Sequence, residues 1–342
     1  MKTREILILI FIVLLVISGC REITVSTQIH KDGTFTRTIR ITGDSSDVFR
    51  GDLPYPVDST WHKVATKDTS GDDDDYILTY IKIYTNCDEL NGEINADTSW
   101  RRQLKRKITV EYRFGFFYSY LSFLEVFQPT NPFTFLNYKD YLSADDILWL
   151  SGKKDIVSKS DTVRLEKAEE RAEVFLATTI TAEISHILEE GLAKLESSKQ
   201  ASEDVARYYD SIYQTVDKWE IEKPEKFISL FADWSGNDAV LKLGELDPPL
   251  FEEFAKKVSF FESLIDMESY PEMVEMPGII TETNSFMLKG NQVSWEVQPF
   301  SLLFEEYELS VESSVVNNWA FIVTGCVLLL LIIVMIVKAI KK

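Results

Sequence analysis

Residues 23–42 read ITVSTQIHKDGTFTRTIRIT. Ile23, Val25, Thr27 and Ile29 occupy every second position, and Phe35 to Ile41 alternates again. A period of two sends successive side chains to opposite faces, as in a half-buried strand. Lys31-Asp32-Gly33-Thr34 between the runs is a turn signal, so the stretch predicts a β-hairpin. A second alternation is longer. Trp100, Leu104, Ile108, Val110, Tyr112, Phe114 and Phe116 hold even positions, while Arg101, Gln103, Lys105, Lys107, Thr109, Glu111 and Arg113 hold odd ones. It predicts one long strand, and Tyr76 to Thr85 predicts another. Residues 43–75, with Gly43, Gly51, Pro54, Pro56 and the run Asp72 to Asp75, read as loop. Four adjacent carboxylates lack the spaced ligands and turning glycine of a calcium loop.

The period then changes. Leu165, Ala168, Ala172, Leu176, Ile180, Ile184, Ile187, Leu188 and Leu195 mark a long amphipathic helix. Ser202 with Glu203 and Asp204 predicts a capped helix start, with Val205, Tyr208, Tyr209, Ile212, Val216 and Trp219 along one face. Pro224 and Asp247-Pro248 open two further helical segments. Strand signals return at residues 277–297, PGIITETNSFMLKGNQVSWEV, and at Tyr307, Leu309 and Val311. The expected fold class is therefore α+β. Its antiparallel sheet comes from N- and C-terminal strands, with a helical middle. The expected parts are a β-rich segment 20–138, a helical insertion 139–276 and closing strands 277–312. This pairing would put Cys20 and the chain's apolar terminal run at one end of the molecule.

Residues 319–337, WAFIVTGCVLLLLIIVMIV, carry no charged side chain. As a helix they span roughly 28 Å, the thickness of a bilayer's hydrocarbon core. Lys338, Lys341 and Lys342 follow, so residues 338–342 are expected to be a cytoplasmic tail, with everything before Trp319 outside. At the other end, Lys2 and Arg4 precede the apolar run Ile6 to Ile17, the length of a signal peptide's core. Ile17-Ser18-Gly19-Cys20 resembles the bacterial lipobox. That likeness implies removal of residues 1–19 and a diacylglycerol on Cys20. The expected location is the bacterial inner membrane, with the main domain on the extracytoplasmic side.

The formal net charge is −19, which disfavours nucleic acid as a partner. The three cysteines are Cys20, Cys87 and Cys326. With one in the lipobox and one in the apolar terminal run, no intradomain disulfide or cysteine metal cluster is expected.

Taken together, Cys20, the early hairpin with Asp32-Gly33, Pro277-Gly278, Asn284, the run Gly290 to Trp295 and the terminal apolar run resemble LppM-type bacterial envelope lipoproteins. These features cover about a fifth of the chain. The resemblance implies an α+β extracytoplasmic domain at a membrane and suggests lipid handling. It does not extend over 139–276.

Chemistry-bearing motifs are sparse. His186 precedes Glu189 by three residues on the long helix, but the pair occurs once, and His30 and His62 lie in turn or loop sequence. No nucleophile elbow, zinc-protease or phosphate-loop motif is present. No catalytic residue, metal or cofactor is expected. The sharpest signal is Arg101, Arg102, Lys105, Arg106 and Lys107, five cations leading into the aromatic strand. Such a pattern suits contact with an anionic lipid headgroup, and it equally suits a basic sheet face covered by acidic helices. The aromatic residues from 112 to 141 suit either core packing or an acyl-chain cavity. The expected function is a non-enzymatic lipid- or envelope-binding module. The alternatives are a partner-binding subunit of an inner-membrane complex and an enzyme of unrecognised type.

Overall fold

A computed structural model describes residues 21–50, 53–68, 75–154, 156–195, 198–246 and 248–340. Cys20 and the leader lie outside them, as do Asp72, Asp73 and Asp74. The fold is α+β as expected, with strands first and last, helices between, and one apolar helix, Asn318–Ile340, at the end. The chain forms two compact units. One holds the helical segment Gln128–Glu268 with Gln298–Tyr307. The other holds residues 21–127, Ser269–Val297 and residues 308–340.

Among the described residues the eleven strands are β1 (Glu22–Ile29), β2 (Phe35–Gly43), β3 (His62–Asp68), β4 (Asp75–Tyr84), β5 (Arg106–Arg113), β6 (Tyr118–Phe127), β7 (Tyr270–Glu275), β8 (Ile279–Thr283), β9 (Met287–Lys289), β10 (Gln292–Val297) and β11 (Tyr307–Val316). They fall into two sheets, a seven-stranded one in the order β3-β4-β2-β1-β7-β10-β9 and a four-stranded one in the order β5-β6-β11-β8. The predicted first hairpin forms, with Ile29 opposite Phe35, and Gly33 takes the left-handed backbone (φ +87°) that its turn requires.

Early and late strands meet at β1 and β7, and this pairing is parallel, with Val25 opposite Glu272 and Gln28 opposite Glu275. Glu22 therefore lies about 20 Å along β1 from Gln28. Beyond Glu275 the chain turns at Pro277, whose carbonyl accepts from Ser313 Oγ at 2.9 Å on the strand that enters the terminal helix. Glu22 thus sits at the end of β1 away from Pro277, and Cys20, on which the expectation about the two anchors rests, lies outside the described residues. Gly278 (φ +89°) is required here, because a Cβ would come within 2.2 Å of the Ser314 carbonyl oxygen.

Three other expectations change. Residues 43–75 contain β3, which the sequence hides because HKVATKD does not alternate. It is an edge strand rich in exposed polar residues, His62, Lys63 and Lys67 among them, which suit a sheet edge. The long strand predicted from Trp100 starts only at Arg106. Trp100–Gln103 is a 3₁₀ turn capped by Ser99, whose hydroxyl accepts from Arg101 N. β7 lies inside the stretch read as helical, since YPEMVE is too short to declare a period.

The free edge of β5 is closed by side chains. Asn91, on helix Cys87–Ala96, donates to the Ile108 carbonyl at 2.7 Å and accepts from Ile108 N at 2.9 Å. Cys87 Sγ accepts from Val110 N at 3.0 Å.

The helical unit is built on Lys159–Leu192, capped by Ser158. Ala168, Ala172, Phe175, Ile180, Ile184 and Leu188 are buried along one face. Phe133 packs between Phe254 and Phe261. Backbone bonds from Thr130 to Leu302 and from Asn131 to Leu303 tie in the segment 298–307. The helix start predicted at Ser202 is instead interior to Ser198–Arg207, and the face from Val205 to Trp219 is split by a break at Tyr208. Helix Lys226–Ser235 stops at Gly236 in the left-handed region.

Candidate functional site at the base of the terminal helix

Helix Asn318–Ile340 is long and apolar enough to cross a membrane, and its side chains are almost all exposed. The strand before it runs to Val316, so a single residue, Asn317, separates sheet from helix. The sequence suggested a longer connection because Glu312, Ser313 and Ser314 look like loop. They are the outer part of β11, paired with β8 across a bulge at Glu312/Ser313.

Asn317 is fastened to the tip of the β5–β6 hairpin. Its backbone N–H donates to the Phe117 carbonyl at 2.9 Å. Its Nδ2 donates to the Gly115 carbonyl at 2.7 Å, the Phe116 carbonyl at 3.3 Å and Ser119 Oγ at 3.0 Å. The turn itself needs Gly115, since a Cβ there would lie 2.3 Å from the Tyr118 carbonyl oxygen.

Around this joint stand six aromatic rings. Trp319 stacks near Phe114 and meets Phe116 edge-on, with centroids 6.4 and 5.3 Å apart. Phe321 touches Phe117 and Tyr118. None is enclosed: Phe114 is 60 % exposed, Phe116 47 % and Trp319 48 %. Large apolar rings held open at a helix entrance match the aromatic belt of membrane interfaces. The aromatic stretch from 112 to 141 is thus divided. Phe123 and Phe127 fill the strand unit's core, residues 114–118 form this collar, and Phe133 packs in the helical unit.

The five predicted cations do not gather at the collar. Arg106 is buried. Arg101 is held by Asp97 at 2.8 Å and by the Leu53 carbonyl at 3.1 Å. Arg102, Lys105 and Lys107 are exposed at the opposite end of β5 from the collar. His186 pairs with Glu190 at 3.4 Å rather than with Glu189, and His30 Nε2 is bonded to Thr36 Oγ1. Among the described residues no group of three His, Cys, Asp or Glu side chains could hold a metal.

Sequence reasoning missed a charged core between the two sheets. Arg37 on β2 is fully buried and donates to Glu272 on β7 at 3.1 Å and to Glu125 on β6 at 3.3 Å. Arg106 on β5 lies 3.8 Å from Glu125 and donates to the Pro54 carbonyl at 2.7 Å. Both guanidinium groups lie over the Tyr55 ring, at 3.8 and 3.5 Å from its centroid, and the Tyr55 hydroxyl donates to Glu125 at 2.6 Å. Burial pushes the Glu272 carboxyl up to about 7, against the pull of Arg37, and pushes the Tyr270 phenol up as well. Two positive and two negative side chains balance, and they join four strands and a loop across the sheet interface. The signal was parity. Each of the four replaces an apolar residue on the buried side of its own strand. The cluster has the marks of a structural lock rather than of a reaction centre.

No family model, no curated protein and no solved structure matches this chain.

Proposed function

We propose that this chain is a membrane-anchored, non-enzymatic module of a bacterial envelope. Its terminal helix spans the inner membrane, and its strand unit sits on the outer surface of that bilayer and contacts lipid there. The observation that supports this reading is the collar of Phe114, Phe116, Phe117, Tyr118, Trp319 and Phe321 around the first turn of the apolar helix. A span entering at Trp319 puts these rings at headgroup depth, where amphipathic and aromatic side chains concentrate. The resemblance to LppM-type lipoproteins agrees with this assignment. The lipidated Cys20 and the removal of residues 1–19 remain part of the proposal. Loss of the acyl-dependent mobility shift in Cys20→Ala is the expected result.

The test of the collar uses the full chain in vesicles, with a fluorophore on Phe116→Cys and bromine-labelled lipid. Quenching to the level of a probe near Trp319 is expected. A probe that stays fully quenchable only by aqueous iodide would refute the seating.

A second reading, a subunit of an inner-membrane complex, is favoured by one feature. Phe286, Met287 and Leu288 are more than half exposed at and just before the edge strand β9, next to a tightly bonded turn. Asn284 accepts from Trp295 Nε1 at 2.8 Å and donates to the Glu308 carbonyl, while Ser285 Oγ bonds the Ser294 carbonyl. A photo-crosslinker at Leu288 in intact membranes would capture a stoichiometric partner under this reading and nothing reproducible otherwise.

A further inference from the structure

We propose that residues 53–60 form a proton-controlled strap, which closes over the buried charges when the Glu125–Glu272 pair holds a proton and lifts when both carboxylates are ionised. Every group involved lies in the strand unit, so nothing here depends on the membrane reading.

Residues 53–60 belong to no helix or strand, yet Leu53, Pro54 and Tyr55 are buried. An irregular segment in a core needs partners for its backbone groups. Side chains supply them. Arg101 and Arg106 donate to the Leu53 and Pro54 carbonyls at 3.1 and 2.7 Å. The Tyr55 ring lies against the guanidinium groups of Arg37 and Arg106. Pro54 and Pro56 fix the backbone on either side of Tyr55, so ring and flanks move as one piece.

The hydrogen count at the inner end of the strap calls for a proton. The Tyr55 hydroxyl lies 2.6 Å from a Glu125 oxygen and 3.3 Å from a Glu272 oxygen. Arg37 Nη2 faces the same two carboxylates, at 3.3 Å from Glu125 and at 3.1 and 3.2 Å from Glu272. One hydroxyl hydrogen and two N–H hydrogens cannot fill all these contacts. Two buried carboxylates that share their donors repel each other, and a protonated one becomes a donor itself. Burial pushes the Glu272 carboxyl up to about 7. Arg37 on β2, Arg106 on β5, Glu125 on β6, Tyr270 on β7 and Tyr55 on the strap are the titratable and charged groups packed around it.

Lifting the strap admits water, and hydration returns the carboxyl towards its ordinary proton affinity. The closed form therefore binds the proton more tightly than the open form. Closure is fully favoured at acid pH and is lost as pH rises through about 7. For one proton, the open fraction rises by up to about tenfold per pH unit.

The experiment is hydrogen exchange read by mass spectrometry on the full chain in nanodiscs of neutral lipid, from pH 6 to 9. Each rate is divided by the intrinsic rate at that pH. Strap amides should exchange at least about tenfold faster than those of β2 at every pH, the mark of a local opening. Their normalised rate should rise by about tenfold or more between pH 7 and 9. Glu272→Gln, neutral throughout, should keep the strap protected and lose the rise. If Glu272→Gln does not fold, Tyr55→Phe keeps the ring, removes the hydroxyl and should speed strap exchange severalfold at pH 6. A flat strap rate in wild type, a wild-type rise in Glu272→Gln, or wild-type exchange in Tyr55→Phe would overturn the strap. So would strap and β2 amides exchanging together as one unfolding unit.

Discussion

Asn317 holds Gly115: the Asn317 side-chain amide donates to the Gly115 carbonyl at 2.7 Å across 202 residues of sequence. The same amide also reaches Phe116 and Ser119, so one side chain fixes the hairpin tip to the entrance of the terminal helix. Asn317→Ala removes these bonds and leaves tip carbonyls short of donors. A local cost of roughly 2–3 kcal/mol is expected. Amide exchange at Phe117 and Ser119 should speed up by tenfold or more, while exchange in β2 stays unchanged. Gly115→Ala should do the same through its clash with the Tyr118 carbonyl. Wild-type exchange rates in both variants would show that the joint is not held this way.

Arg37 is the hub of the buried charges. Removing one partner of a fully buried pair leaves the others uncompensated, at a cost of about 3–5 kcal/mol. Arg37→Met should lower the stability of the strand unit by that amount. The double variant Arg37→Met, Glu272→Leu should be less damaged than the two single losses added together, because it removes opposite charges. Denaturant melts of the four proteins give the coupling directly. Additive losses would mean that the two side chains do not act as a pair.

Glu272 carries a pH signature. Its folded value of about 7 lies above that of an unfolded glutamate, about 4.3. Protonation therefore favours the folded state. The contribution is fully present below the unfolded value and is lost as pH rises through about 7. Arg37, Arg106, Glu125, Tyr55 and Tyr270 are the groups that face it. Between pH 5 and 8 this carboxyl lowers stability by at most about 1.4 kcal/mol per pH unit. Glu272→Gln should flatten that part of the stability curve. A variant whose curve keeps the wild-type slope would assign the dependence to other groups.

Parity explains both what the sequence made legible and what it hid. Strands with clean alternation, such as Ile23 to Ile29, declared themselves, and so did the long helix through Ala168, Ala172 and Ile180. Arg37, Glu125 and Glu272 sit on the apolar parity of β2, β6 and β7, where a reading by hydrophobic pattern treats a charge as noise. Arg106 was grouped with its basic neighbours because they are adjacent in sequence, although its even position aligned it with Ile108 and Val110. The collar was half visible. Its aromatic residues and the apolar helix were plain, but their meeting depends on Asn317 pairing with a turn 200 residues earlier, and no local pattern encodes that contact. The parallel join of β1 to β7 was hidden for the same reason, since turn chemistry announces hairpins and says nothing of strands brought together by a long excursion.

Asn91 offers a prediction about what protects the sheet edge of the strand unit. β5 is the edge of the four-stranded sheet, and an unpaired edge of this kind templates aggregation. The Asn91 amide imitates a neighbouring strand by bonding both backbone groups of Ile108, a residue with no exposed surface. Asn91→Ala leaves a buried N–H and a buried C=O unpaired, at about 1–3 kcal/mol each. Asn91→Asp keeps an acceptor for the N–H but sets a carboxylate against the carbonyl, so it should be destabilised as well. Asn91→Gln keeps both functions at the wrong reach and should fall between wild type and Ala. The order expected in thermal melts is wild type, then Gln, then Asp and Ala, with light scattering rising in the same order as the edge opens. Loss of stability without scattering would mean that Asn91 only pairs Ile108. Scattering in Ala and Asp at temperatures below their melts would show that the side chain guards the edge in the folded protein.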